Sequence, residues 1–382
     1  MIPRKGLRLG AFRGIDVFIH WSWFIVFVLL LWVVLQFFQV NVSSGPAVYV
    51  PVALVTTLLF FASVLLHELS HSLVANRNGV PISHIMLFVF GGVAQMGRDV
   101  TSPGVEFKMS VAGPLCSYAL CLLFGGFSYL AYQLGAETVS FGLMLLAAVN
   151  FGLGTFNLVP GFPLDGGRIL RSILWHHWKD IERSTRAASR LGEAFGALLM
   201  VAGLSMLLAD LLRDRSDLLL AGAWFVLIGI FLMQAAENSF RQLRLRLSLS
   251  GVTAYDLLRP GVPAVDLSAS LEEVYRLHLE RAPGAVIPVL GQGKLAATVN
   301  LADLRKVKRR AWEDTPVSAV ARPVRLEDAC APRDPLFEAM SLMERSGRDF
   351  LWVTEEGRLL GVLLKEDARR HARERLRGGH TP

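Results

Sequence analysis

Cysteine, lysine and, over most of the chain, charge of either sign are scarce in this sequence. The three cysteines, Cys116, Cys121 and Cys330, are too few and too scattered for a disulfide framework or a cysteine metal site. Lysine supplies only 7 of the 39 basic residues, a bias that speaks to genome base composition rather than to function. Of 71 charged residues, 28 fall within residues 1–240, about 12%, and 43 within residues 241–382, about 30%. An average soluble protein holds roughly 25%. The first part is too poor in charge for a soluble domain and the second too rich for a membrane domain. A single soluble globule and a chain that is all membrane are both excluded. With 53% hydrophobic residues, the chain reads as a membrane unit over 1–240 and a soluble module over 241–382.

Six apolar runs approach the ~20 residues that a spanning helix needs. They cover roughly 17–39, 49–76, 107–133, 139–158, 190–211 and 217–238. Arg4, Lys5, Arg8 and Arg13 precede the first run, which is too long for a signal peptide and lacks a small-residue cleavage site. The segments 40–48 and 134–138 carry no Lys or Arg, whereas 77–106 carries Arg77 and Arg98, and 159–189 carries Arg168, Arg171, Lys179, Arg183 and Arg186. Basic loops stay in the cytoplasm, so both termini are expected there and the chain in the cell membrane. Arg213 and Arg215 run weakly against this rule and are offset by Asp210, Asp214 and Asp217.

The stretch 81–96, PISHIMLFVFGGVAQM, is β-rich and interrupted by Gly91 and Gly92. It reads as short strands or a hairpin at the membrane, either an interfacial segment or part of the core.

Within the second run stands Leu66-His67-Glu68-Leu69-Ser70-His71, a H-E-x-x-H pattern. On a helix, positions i and i+4 lie about 40° and 6 Å apart, so both imidazoles reach one metal ion with Glu68 beside the open position. Two His and a Glu inside an apolar span are costly and are usually functional or paired. A catalytic zinc takes three protein ligands and leaves one position open. The best third candidate is Asp165, in Asn157-Leu158-Val159-Pro160-Gly161-Phe162-Pro163-Leu164-Asp165-Gly166-Gly167-Arg168. Irregular backbone at membrane depth survives only where protein buries it or water lines it. The competing reading of Asp165 alone is a helix cap in a cytoplasmic turn.

H-E-x-x-H in one span with N-x-x-P-x-x-x-L-D-G-G after a later one resembles the site-2 protease family of intramembrane zinc metalloproteases. Phe90-Gly91-Gly92-Val93-Ala94 and Ala112-Gly113-Pro114 also look like that family's pattern. The resemblance implies His67, His71 and Asp165 as zinc ligands and Glu68 as catalytic base. It further implies Asn157 as a substrate-binding or oxyanion-stabilising residue, and the Gly91–Gly92 strand as a docking edge for an extended substrate.

Other polar residues carry less. His20 and Trp21 either line the site or belong to an aromatic interfacial belt. Nothing in its spacing ties His84 to the metal. His176 and His177 fall in a basic loop and read as solvated. Asn150, seven residues before Asn157, suits polar packing on the same face, and Cys116 and Cys121 suit apolar packing.

The soluble part contains a weak internal repeat. Each half, about 250–310 and 311–372, reads as helix, strand, tight turn, strand and helix, with strands at Ala285–Leu290 and Asp349–Val353. This resembles a tandem pair of CBS domains, which pack as a pseudo-dimer and often bind adenine nucleotides. That family's second strand usually ends in Gly-x-x-Thr-x-x-Asp. Here Asp303 and Asp367 fill the Asp position, but Asn300 and Leu364 replace the Thr and Ala297 stands for the first Gly. A ligand-free structural or dimerising pair is therefore as good a reading as a nucleotide sensor. The run Arg305-Lys306-Val307-Lys308-Arg309-Arg310 suits a solvated helix end or anionic lipid, and no nucleic-acid partner is expected.

The expected fold is a polytopic α-helical membrane protein of six spans with a short membrane-associated β segment, followed by an α/β CBS tandem. The expected activity is zinc-dependent cleavage of transmembrane segments of regulatory or precursor proteins. The segments between spans are too short for a PDZ domain, which points to the CBS-bearing branch of the family. A CBS-gated transporter or channel is the competing class, but it leaves His67, Glu68, His71 and Asp165 without a joint role.

Overall fold

The computed structural model describes residues 6–88, 91–96, 100, 102–213 and 218–377. Phe90 of the glycine motif, Arg4, Lys5, Arg98, Arg215, Asp214 and Asp217 lie outside them. The described residues divide into two compact units, one ending at Leu243 and the other beginning at Arg244.

The first unit opens with a hairpin, β1 (Gly6–Phe12) and β2 (Ile15–His20), closed by Arg13 and Gly14 at φ 49° and 83°. Positive φ at both turn positions matches the twist of a two-residue hairpin. The apolar run expected from residue 17 is therefore strand up to His20. There the His20 Nδ1 accepts the Ser22 N–H at 3.2 Å and caps α1 (Trp21–Asn41). Helix α2 (Pro46–Arg77) follows and returns the chain to β3 (Ile82–Phe88), which lies parallel to β2 and antiparallel to β4 (Gly91–Met96). Parallel neighbours need such a crossover. The sheet order is β1-β2-β3-β4, with β4 at one edge. Ile15, Ile82 and Ile85 of the sheet pack with Leu69 and Ala75 of α2 and Met109 of α3 (Pro103–Gln133).

Helix α4 (Glu137–Asn157) packs against α3 and α2. A tight loop then leads to α5 (Asp165–Trp178), too short to span, and on to α6 (Ile181–Arg213) and α7 (Leu219–Ser248). Among the described residues, six helices are long and apolar enough to cross a membrane: α1 to α4, α6 and α7. Their outward faces carry exposed apolar side chains such as Ile25, Leu122 and Leu227, while polar side chains turn inward. Asn150 is buried and donates to Ser63 Oγ at 3.2 Å across the α4–α2 contact. Such interhelical bonds, with glycines that let backbones approach, hold helices together where lipid competes for apolar contact.

The second unit repeats one pattern twice. Its halves hold β5 (Arg259–Pro260), β6 (Val265–Asp266), α8 (Leu271–Val274), β7 (Val286–Gly291), β8 (Lys294–Asn300) and α9 (Leu301–Leu304), then β9 (Arg322–Pro323), β10 (Ala329–Cys330), α10 (Leu336–Ser346), β11 (Phe350–Glu355), β12 (Arg358–Leu364) and α11 (Lys365–Arg377). The sheets run β6-β7-β8-β9 and β10-β11-β12-β5, so each half lends its first short strand to the other's sheet. Each sheet has its own core, around Leu271, Val289 and Val299 in one and Leu336, Leu351 and Leu363 in the other.

Candidate metal centre

Helix α2 presents His67, Glu68 and His71, and α5 carries Asp165 as its first residue. His67 Nε2 lies 3.2 Å and His71 Nε2 3.1 Å from the same oxygen, Asp165 Oδ2, and the two Nε2 atoms are 3.3 Å apart. Three atoms bound at about 2.0–2.1 Å to a tetrahedral zinc stand about 3.3 Å from one another. The triangle has that size.

The far ring nitrogens are held from α3. His71 Nδ1 donates to the Met109 carbonyl at 2.6 Å, and His67 Nδ1 meets Ser117 Oγ at 2.9 Å. A carbonyl only accepts, so in neutral His71 the proton is on Nδ1 and the Nε2 lone pair faces Asp165. Ligating histidines are oriented in this way from outside the coordination sphere. Lone pairs converging at this spacing repel unless a cation lies among them, and a His-His-carboxylate set suits zinc. The residues fit the metal.

Two glycines mark the walls. A Cβ on Gly113 of α3 would overlap His71 Nε2 and stand 2.6 Å from His67 Nε2. A Cβ on Gly92 of β4 would overlap Glu68 Cγ. The β4 backbone thus lies directly against the acid next to the metal triangle.

The Asp165 loop is also built on glycines. A Cβ on Gly166 would overlap the Leu158 and Val159 carbonyls, one on Gly167 would overlap the Gly161 backbone, and one on Gly192 of α6 would overlap the Phe162 carbonyl. Phe162 N–H donates to Ala188 of α6 at 3.2 Å. Further along α5, Arg171 places Nε and Nη2 on Glu106 Oε1, the former at 2.9 Å, and Arg168 Nε stands 3.9 Å from that oxygen. Glu106 is wholly buried.

The structure thus brings together His67, His71, Asp165, Glu68 and Gly92. Gly91 begins β4, and Asn157 ends α4 with its amide donating to the Leu153 carbonyl at 3.0 Å. His84 lies in β3 with its ring edge-on to Phe18, and His176 and His177 are exposed at the end of α5. The sequence reading missed Ser117, the Met109 carbonyl, Glu106, Arg171 and Gly192. The i, i+3 arginines after the L-D-G-G motif were the one available signal for a buried acid partner.

In the second unit Asp303 accepts from Lys306 at 2.8 Å and Arg322 Nε at 2.7 Å. Asp367 accepts from Arg259 Nε at 2.7 Å and Arg370 at 2.6 Å. Arg322 and Arg259 come from β9 and β5, the exchanged strands. Burial pushes the Asp303 carboxyl up, but the Lys306 and Arg322 bonds more than offset it and hold it below the usual carboxylate range. The Arg259 bond does the same for Asp367.

The sequence model of peptidase family M50 matches residues 55–140 and 131–202, and that of the CBS domain matches 313–374. The chain is 30% identical over 374 residues to Rip3 of Mycobacterium tuberculosis, covering 96% of this chain and 93% of that one. It is 29% identical over 367 residues to the zinc metalloprotease MJ0392 of Methanocaldococcus jannaschii, covering 94% of each. The solved site-2 protease from Methanocaldococcus jannaschii aligns at 32% identity and TM-score 0.40, covering 62% of this chain and 96% of that one. With such a match along nearly its whole length, the chain belongs to peptidase family M50 and is a multi-pass zinc metalloendopeptidase of the site-2 type, followed by a CBS tandem.

Proposed function

We propose that His67, His71 and Asp165 hold one catalytic zinc ion and that Glu68 is the base that activates water for cleavage of a peptide bond within the bilayer. The observation that carries this is the 3.1–3.3 Å triangle of ligand atoms, with the His71 tautomer set by the Met109 carbonyl. Zinc supplies Lewis acidity, lowering the pKa of water from ~15.7 towards ~7 and polarising the scissile carbonyl. Glu68 takes the proton of the attacking water and returns it to the leaving amide nitrogen.

A transmembrane helix presents carbonyls already locked in internal hydrogen bonds, so the substrate must unwind first. The edge strand β4, at Gly91 and Gly92, is the place for it to pair as an extended segment. Asn157 is assigned the scissile carbonyl, to which it can offer the amide N–H not used on the Leu153 carbonyl. The substrates are transmembrane segments of regulatory or precursor proteins, cut near the cytoplasmic face, and the charge on the loops supports a cytoplasmic side for both termini and the CBS pair.

The membrane domain is assigned residues 1–240 and the regulatory CBS module residues 241–382, a module that also offers a dimer contact. An adenine nucleotide is its ligand class, and a ribose hydroxyl would share the Asp303 and Asp367 carboxylates with Arg322 and Arg259. Calorimetry of the intact protein with ATP tests this; a saturable isotherm is expected, and a flat trace removes the nucleotide. Zinc analysis tests the centre. One zinc per chain is expected in the wild type and none in His67→Ala/His71→Ala, and a full complement in that variant would overturn the ligand set.

A further inference from the structure

Both imidazoles stand within a 32-residue helix, whereas Asp165 is the first residue of a 14-residue one. A side-chain tip lies about 5–6 Å from its helix axis, so a rotation of α5 by about 5° moves the Asp165 carboxylate by about 0.5 Å. Zinc bonds tolerate roughly 0.2 Å. The rotation of α5 therefore has to be fixed, and backbone hydrogen bonds inside α5 cannot fix it.

Arg171, about 9 Å along the axis from Asp165, is the group able to do so. Its guanidinium holds Glu106 Oε1 on one side and lies over the Phe162 ring, 5.0 Å from the centroid, on the other. It thus ties α5 both to α3 and to the loop that delivers Asp165. Glu106 belongs to the same face of α3 as Met109, Gly113 and Ser117, at i, i+3, i+7 and i+11. Met109 orients His71, Gly113 leaves room for the metal, and Ser117 orients His67. An apolar pair would pack α5 against α3 as firmly as a buried ion pair does, but it lacks the directed geometry of a guanidinium–carboxylate bond.

We propose that Glu106 is a positioning residue for the metal centre: by holding Arg171 it sets the rotation of α5 and so the aim of Asp165, making one face of α3 the common reference for all three ligands. This rests on the zinc reading of the site.

The test is zinc affinity, by chelator competition, of full-length wild type, Glu106→Gln, Asp165→Ala and the double variant, with thermal unfolding of the metal-stripped proteins as the measure of folding. Glu106→Gln is expected to weaken zinc binding about 10–100-fold, and to add nothing once Asp165 is gone. Loaded with Co2+ instead, the folded Glu106→Gln protein is expected to show a shifted ligand-field spectrum, which mere loosening of the fold would not produce. Unchanged affinity and spectrum, or an equal loss in the Asp165→Ala background, would overturn the inference while leaving the zinc site intact. A wild type that binds no zinc would overturn both.

Discussion

The backbone of Gly92 lies against the side chain of Glu68, so close that a methyl group on the glycine would overlap Glu68 Cγ and stand 3.1 Å from the carboxyl carbon. An edge strand and an acid adjoining the metal triangle are therefore in contact. A peptide paired along that edge would be delivered where the acid works.

Gly92→Ala should displace Glu68 while leaving the three ligand atoms in place. General bases contribute about 10²–10⁴-fold to rate, so kcat on a model membrane substrate is expected to fall at least about 10²-fold with zinc content unchanged. Wild-type kcat in this variant would mean that the contact has no part in catalysis.

Gly113→Ala puts a methyl group where the two Nε2 atoms converge. In a helix interior alanine is favoured over glycine by about 1 kcal/mol, so α3 itself should gain. Zinc retention after dialysis is nonetheless expected to be lost, with helical content by circular dichroism preserved. Full zinc retention would show that the metal lies elsewhere.

The CBS tandem should be acid-sensitive through Asp303 and Asp367. Both carboxyls have folded-state values below the ordinary one, near ~3.9 in the unfolded chain. Their contribution to stability is complete above that value and is lost as pH falls through the lower folded one. In a pH series of thermal unfolding, the transition of the second unit is expected to hold steady above about pH 5 and fall below about pH 4. Asp303→Asn/Asp367→Asn should flatten that fall. The same acid slope in the variant would place the sensitivity in other groups.

The candidate metal site was legible because its geometry is local. The i, i+4 spacing of His67 and His71 is a property of any helix, and L-D-G-G is readable because Gly166 and Gly167 meet backbone a few residues away. What stayed hidden depends on distant chain. The β1–β2 hairpin turns on Arg13-Gly14 rather than the Asn-Gly or Asp-Gly that signals such turns, and it adjoins an apolar run that reads as helix. The hairpins β7–β8 and β11–β12, closed by Gln292-Gly293 and Glu356-Gly357, were readable because short apolar runs flank a turn that contains glycine. Exchange of β5 and β9 between the halves was invisible, since two-residue strands carry no period. Glu106 looked like a loop residue at the edge of a span, and only packing of α5 on α3 gives it a partner.

The most direct measurement is the Glu68→Gln substitution, which keeps shape and removes the carboxylate proposed as the base. Zinc content and cleavage of a model membrane substrate are measured together for wild type and variant. The expected result is one zinc per chain in both, with cleavage in the wild type alone. Cleavage that survives in Glu68→Gln, with zinc bound, would contradict the assignment of Glu68 and the reaction built on it.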